Sequence, residues 1–137
     1  MLTNNLKLVA RRLVWAKLLN GGQTCISADY VIAKSSIKNE LIEVLKAEIT
    51  RRYGVNPKTS EDFPRIINSK NLKRLESLIG GKSILHGGEI DETENYIAPT
   101  LIDNPSLDSA IMQEEIFGPI LPVITFKTLE EKAGGQN

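Results

Sequence analysis

Gly21-Gly22-Gln23-Thr24-Cys25, followed closely by Tyr30-Val31-Ile32-Ala33, marks the change from helix to strand around which this chain is organised. Ahead of it, Leu6, Val9, Leu13 and Ala16 recur at helical spacing, with Lys7, Arg11 and Arg12 elsewhere, so residues 5–19 read as a helix in which Trp15 is expected to pack. The two glycines after Leu18-Leu19-Asn20 stop that helix, because glycine takes the left-handed backbone conformation that helix ends need. Residues 29–33 read as a buried strand. Cys25, the only cysteine, falls in the polar turn between them, among Gln23, Thr24, Ser27 and Asp29. A thiol there can face a cleft at the end of a sheet, and a thiolate is a strong nucleophile near neutral pH. Free cysteine is also a common small core hydrophobe. Residue type leaves both readings open.

Further along, residues 36–53 read as a helix capped by Ser35 or Ser36, with an apolar stripe of Ile37, Leu41, Val44, Leu45 and Ile49 and a stop at Gly54. Asn56 to Pro64 is a polar loop. Residues 69–79 form a shorter helix, capped by Ser69 and ended by Gly80-Gly81. Lys82 to His86 reads as a strand, and Tyr96 to Ile102 as another, with Pro99 inside it pointing to an edge or irregular strand. Asp108 to Glu115 forms a turn of helix, and Gly118 to Phe126 is an apolar strand interrupted by Pro119 and Pro122. Helices alternating with short apolar strands predict a layered α/β domain with a mainly parallel sheet.

The 137 residues suit one domain able to bury a core, and 41% hydrophobic with 25% charged content is the globular norm. Lys+Arg and Asp+Glu are both 17, so the basic surplus that nucleic-acid binding needs is missing, and self-association as a homo-oligomer meets little charge repulsion. A single cysteine rules out an internal disulfide and fits a reducing compartment. Without an apolar run long enough to span a membrane, or a signal peptide at the start, the chain reads as soluble and cytoplasmic.

Covalent catalysis by cysteine needs an activating base, and His86 is the single histidine. It sits beside Gly87-Gly88, far from Cys25 in sequence and without an orienting third group, which favours a surface or capping role. One cysteine and one histidine make no zinc set, and Asp91-Glu92-Thr93-Glu94 lacks the calcium-loop pattern and reads as a solvated turn. Neither of the glycine-rich phosphate-binding patterns occurs. Glu114-Glu115-Ile116-Phe117-Gly118-Pro119 is the second notable stretch. A carboxylate there can accept two ribose hydroxyl hydrogen bonds and the ring can pack on a flat cofactor; a helix end followed by a buried Phe fits the same residues.

Together the two stretches resemble the NAD(P)-dependent aldehyde dehydrogenase family. Leu19-Asn20-Gly21-Gly22-Gln23-Thr24-Cys25 resembles the family's nucleophile segment and Glu114–Pro119 its second signature, with Tyr96-Ile97-Ala98-Pro99-Thr100-Leu101 ahead of it; the match runs from about Leu6 to about Glu131. Asp29-Tyr30-Val31, Lys73-Arg74-Leu75 and Gly87-Gly88-Glu89 are most similar to the class 3-like branch acting on fatty and aromatic aldehydes, although Ala28 stands where that branch usually has proline. The resemblance implies that Cys25 is the catalytic nucleophile, with its backbone N–H as one oxyanion donor. It also implies that Glu115 binds the nicotinamide ribose of NAD or NADP, that Phe117 packs near the nicotinamide, and that a small-molecule aldehyde is the substrate. The family's general base, a glutamate in Glu-Leu-Gly-Gly-Lys, precedes the nucleophile, so Leu78-Ile79-Gly80-Gly81-Lys82, which follows Cys25 and lacks the acid, is a decoy. Residues 1–137 are therefore expected to be one truncated catalytic domain without the cofactor-binding domain. The parent is then an oxidoreductase forming a thioester intermediate, and the chain alone is expected to be inactive. A non-enzymatic scaffold or interaction domain derived from that fold is the alternative.

Overall fold

The computed structural model describes residues 2–18, 22, 30–113 and 116–127, with side chains from Leu6 onward. In chain order these form α1 (Leu2–Leu18), β1 (Val31–Lys34), α2 (Lys38–Tyr53), α3 (Ser69–Ile79), β2 (Ile84–His86), β3 (Ile90–Asp91), β4 (Tyr96–Ile97), β5 (Thr100–Asp103), α4 (Ala110–Gln113) and β6 (Ile120–Phe126). The main sheet runs β1-β6-β5-β2, and β3 pairs with β4 in a separate ribbon. β1 and β5 flank β6 in parallel, while β2 is antiparallel to β5.

Strand alternation divides the core into two layers. Leu101 and Leu121 face a cluster that includes Leu6, Ala10, Val14 and Leu18 of α1 and Leu41, Leu45 and Ile49 of α2. Their neighbours Ile102 and Ile120 face another built on Leu72, Leu75 and Leu78 of α3 and Ile111 of α4. Side chains of successive strand residues point to opposite faces, so the sheet is covered on both sides. The expected layered α/β architecture is present, with a sheet that is parallel at two of its pairings and mixed overall.

Several local expectations are corrected. The buried face of α1 carries Leu6, Ala10, Val14, Lys17 and Leu18, whereas Val9 is exposed and Trp15 is 51% exposed. Each helical residue turns about 100° from the last, so Trp15 leaves the contact face that its neighbour Val14 occupies. The predicted buried strand at 29–33 is an edge strand in which Ala33 is buried, Val31 and Ile32 are half-buried and Tyr30 is exposed. Ser35 and Ser36 lie in a 3₁₀ turn, and Ile37 precedes α2 without a side-chain cap. Gly54 does end α2, with φ +82° and its N–H donating to the Thr50 carbonyl at 2.8 Å. Asn68 caps α3 in place of Ser69, its Oδ1 accepting from the Asn71 N–H at 2.9 Å.

The prolines fall where the hydrogen bonding tolerates them. Pro99 splits the predicted strand 96–102 into β4 and β5, and β5 is an inner strand, not an edge. Pro122 sits in β6 between β1 and β5. The carbonyls of Pro119 and Val123 accept from Thr100 and Asn104 on the β5 side, so Pro122 faces β1. Among the described residues, pairing with β1 begins at Val31 opposite Val123, one residue later. The missing N–H thus removes no rung among the described residues.

The turn at Glu92–Glu94 is tied down by ions more closely than a solvated turn would be. Lys58 Nζ lies 2.5 Å from Asp91 Oδ2 and 3.7 Å from Glu94 Oε2, and Arg65 reaches Glu94 Oε1 at 2.8 Å while stacking over Tyr96. The Lys58 hydrogen bond, helped by Thr93, lowers the Asp91 carboxyl from 3.8 to about 2. No helix among the described residues is long and apolar enough to cross a membrane.

Asn68→Ala should lower unfolding free energy by about 1 kcal/mol and Ser69→Ala by about 0.5 kcal/mol or less, measured by urea denaturation. The reverse order would return the cap to Ser69. Asp91 binds its proton less readily in the folded chain than in the unfolded one, so its stabilisation is full above 3.8 and disappears as pH falls through about 2. Asp91→Asn should flatten the fall of the denaturation midpoint between those values; an unaltered slope would contradict the ion pair.

Candidate functional site

Of the residues singled out by sequence, Phe117 is described, whereas Cys25 and Glu115 lie outside the described residues. The expectations that Cys25 faces a cleft and stands near Glu115 and Phe117 therefore fall outside them too. What the structure establishes is how the flanks of the two segments meet.

Gly22 and Gly118 touch backbone to backbone. A Cβ on Gly22 would collide with the carbonyl of Gly118 and stand 2.9 Å from the Lys17 carbonyl oxygen at the end of α1. Gly22 also has φ +77°, a region costly for any residue with a side chain. The approach and the conformation both demand glycine, the first because a methyl group has nowhere to go. Gly22 is thereby pinned against the turn that leads into β6. Gly118 is confined on its other side, where its own Cβ would lie 2.6 Å from Leu75 Cδ2 of α3.

The turn before Gly118 is held equally firmly. Ile116 has no exposed surface. Its carbonyl accepts a hydrogen bond from Arg74 Nη2 at 2.5 Å. Phe117 follows with φ +49°, and the residue is 36% exposed. This is the reverse of a buried Phe at a helix end, and it leaves an aromatic surface available beside the Gly22 contact. The backbone then enters β6 with the Ile120 N–H bonded to the Gly118 carbonyl and the Thr100 N–H to the Pro119 carbonyl, each at 2.8 Å. Below, a small apolar hollow is lined by residues including Lys17, Leu18, Leu45, Pro99, Pro119 and Leu121. Lys17 is 2% exposed, a burial that the helical pattern of the sequence did not mark.

His86 lies on β2, which β5 separates from β6. Burial, reinforced by the charge of Lys46, pushes its imidazole below the ordinary histidine range. Gly87-Gly88 serve packing: Gly87 passes against the Pro99 carbonyl, and the Gly88 N–H donates to Thr100 Oγ1 at 3.0 Å. The Leu78–Lys82 lookalike begins as the last turn of α3, with Leu78 and Ile79 buried in the core. No group of three His, Cys, Asp or Glu side chains suited to a metal occurs among the described residues.

Gly22→Ala and Gly54→Ala both force alanine into positive φ, but nothing lies within 4 Å of a Cβ at Gly54. Gly54→Ala should cost about 1–2 kcal/mol from backbone strain. Gly22→Ala should cost at least about 1 kcal/mol more, from the collision. Equal losses in thermal or urea denaturation would show that the Gly22 segment moves aside freely.

The Aldehyde dehydrogenase family profile matches residues 2–137. Aldehyde dehydrogenase family 3 member A2 of Mus musculus is 44% identical over 127 residues, which cover 93% of this chain and 26% of that protein. Among solved structures, the substrate-bound state of Staphylococcus aureus AldH superposes with a TM-score of 0.89 at 44% identity, covering 95% of this chain and 29% of the other. The NADP-dependent glyceraldehyde-3-phosphate dehydrogenase of Bacillus halodurans C-125, solved in complex with NADP, superposes with a TM-score of 0.79 at 28% identity, covering 97% and 29%. The chain thus spans little more than a quarter of the length of these relatives. It belongs to the aldehyde dehydrogenase family.

Proposed function

We propose that residues 1–137 form part of the catalytic domain of a class 3-like, NAD(P)-dependent aldehyde dehydrogenase, in which Cys25 is the nucleophile and Glu115 and Phe117 contact the cofactor. The observation that carries this reading is the backbone contact between Gly22 and Gly118. Gly22 stands three residues before Cys25, and Gly118 three after Glu115. Three residues of extended chain reach about 11 Å at most, so both side chains are tethered close to one contact point. The residues fit a nicotinamide nucleotide in kind: Phe117 offers a partly exposed ring to a flat group, and a carboxylate beside it suits ribose hydroxyls.

In this reading the Cys25 thiolate attacks the aldehyde carbonyl carbon, forming a C–S bond and placing negative charge on oxygen. The Cys25 backbone N–H donates to that oxygen. A bound NAD or NADP supplies the two-electron acceptor that takes this thiohemiacetal to a thioester. Water then adds to the thioester carbonyl, the C–S bond breaks, and a carboxylic acid leaves with the thiolate restored. Glu115 and Phe117 orient the cofactor and do not bond to the substrate. In this reading the base that activates the thiol comes from another part of the protein.

In the intact protein, Cys25→Ala should abolish aldehyde-dependent NADH formation followed at 340 nm while leaving cofactor binding in place. Residues 1–137 alone should give no cysteine-dependent NADH. A missing oxyanion donor costs about 10²–10³ in rate, and missing general-base help about 10²–10⁴ more. Turnover by the intact Cys25→Ala protein would sink the assignment of the nucleophile.

A further inference from the structure

The turn that carries Phe117 does not stand unsupported; α3 holds it from beneath at two adjacent positions. Leu75, with no exposed surface, presses both its Cδ atoms against the place a Gly118 Cβ would occupy. Arg74 sends Nη2 to the Ile116 carbonyl at 2.5 Å, across 42 positions of sequence. The Ile116 side chain is meanwhile locked in the core cluster that α3 itself builds. Ile116 lies between Glu115 and Phe117, and the guanidinium grips the peptide that leads from Ile116 into Phe117. Phe117 has φ +49°, a conformation unfavourable for a residue with a side chain that persists only where its surroundings over-determine it. Arg74, Leu75 and the Gly22 backbone are those surroundings.

We propose that Arg74 is a positioning residue: its hydrogen bond to the Ile116 carbonyl sets the orientation of Glu115 and Phe117 toward the nicotinamide nucleotide. This rests on the reading of Glu115 and Phe117 as cofactor contacts. A charged donor on a part-buried carbonyl makes a stronger bond than a neutral one, and its planar head fixes direction as well as distance. Without it, the carbonyl loses its charged partner and the peptide is free to rotate toward water. The carboxylate and the ring on either side would rotate with it. Small displacements of positioning groups cost far more than their own contact energy, because the bound geometry is what is lost.

The test uses the intact protein and NADH as probe, with dissociation constants read from NADH fluorescence, so that the readout is binding and not turnover. Arg74→Met should weaken NADH by about tenfold, the loss of one charge-assisted bond at about 1.4 kcal/mol per decade. Arg74→Lys, which keeps a cationic donor, should recover most of that loss. Asn68→Ala, which loosens the opposite end of α3, should leave the constant within about twofold although it lowers the melting temperature. If Arg74→Met binds NADH normally while Glu115→Gln binds weakly, the positioning role is overturned and the cofactor site stands. If Glu115→Gln binds normally, the cofactor assignment falls and the positioning role with it. Equal weakening by Asn68→Ala and Arg74→Met would reduce Arg74 to a general stabiliser of α3. Should Arg74→Met fail to fold, Arg74→Lys with Asn68→Ala decides alone: the role requires Lys to bind NADH within about threefold of the parent and falls if it does not.

Discussion

Gly118 is where two close approaches meet: its carbonyl stands where a Gly22 side chain would have to go, and the Leu75 side chain stands where its own would. Three parts of the chain, the segment after α1, the middle of α3 and the entry to β6, are therefore registered at one residue. β6 is the inner strand to which β1 and β5 both pair in parallel, so a shift at its entry would be transmitted to the whole sheet. Close packing makes this contact decisive. A core of this density absorbs displacements poorly, and the Gly22–Gly118 contact joins backbone atoms, which cannot change rotamer to make space.

The layers on either side of the sheet are secured by different means. The α1–α2 layer buries leucine, isoleucine and small residues, but it also encloses Glu48, 6% exposed on α2. Arg51 grips both its carboxylate oxygens at 2.9 and 2.6 Å, Arg52 adds a bond at 2.9 Å, and Arg11 approaches from α1 to 4.0 Å. The Arg51 hydrogen bonds lead in lowering its pKa against the opposing effect of burial. A buried acid so surrounded is costly to strip of its partners, whatever its net contribution to stability. The α3–α4 layer relies on apolar packing, with Leu72, Leu75, Ile97, Ile102, Ile116 and Ile120 at its centre. That rigid layer is the one beneath the turn bearing Phe117, which suits a turn that must keep an unfavourable backbone angle.

Much of the element order was legible in the sequence because helical and strand periodicities differ and because Gly54, Gly80 and the prolines punctuate the chain. The failures were at finer scale. The stripe on α1 was drawn one face too wide, since Val9 and Trp15 fit the apolar pattern as well as the buried residues do. Residue type favours Ser35, Ser36 and Ser69 as caps, yet Asn68, one position before Ser69 and equally suitable, is the one that caps α3. Pro99 points to an edge strand, yet β5 is an inner one, because Pro99 falls in the break between β4 and β5.

The sequence by itself singled out Cys25, Glu115 and Phe117, because reactive or recognisable chemistry depends on residue types that can be read one at a time in a short motif. It also determined the glycines at 22 and 118, though not what each one makes room for. Tertiary structure alone decided that these glycines touch, that Leu75 closes the other side, and that Arg74 bonds the Ile116 carbonyl from a distant helix. None of these follows from periodicity or local propensity. They are contacts between segments far apart in the chain, and their geometry exists only once both faces of the sheet have been packed.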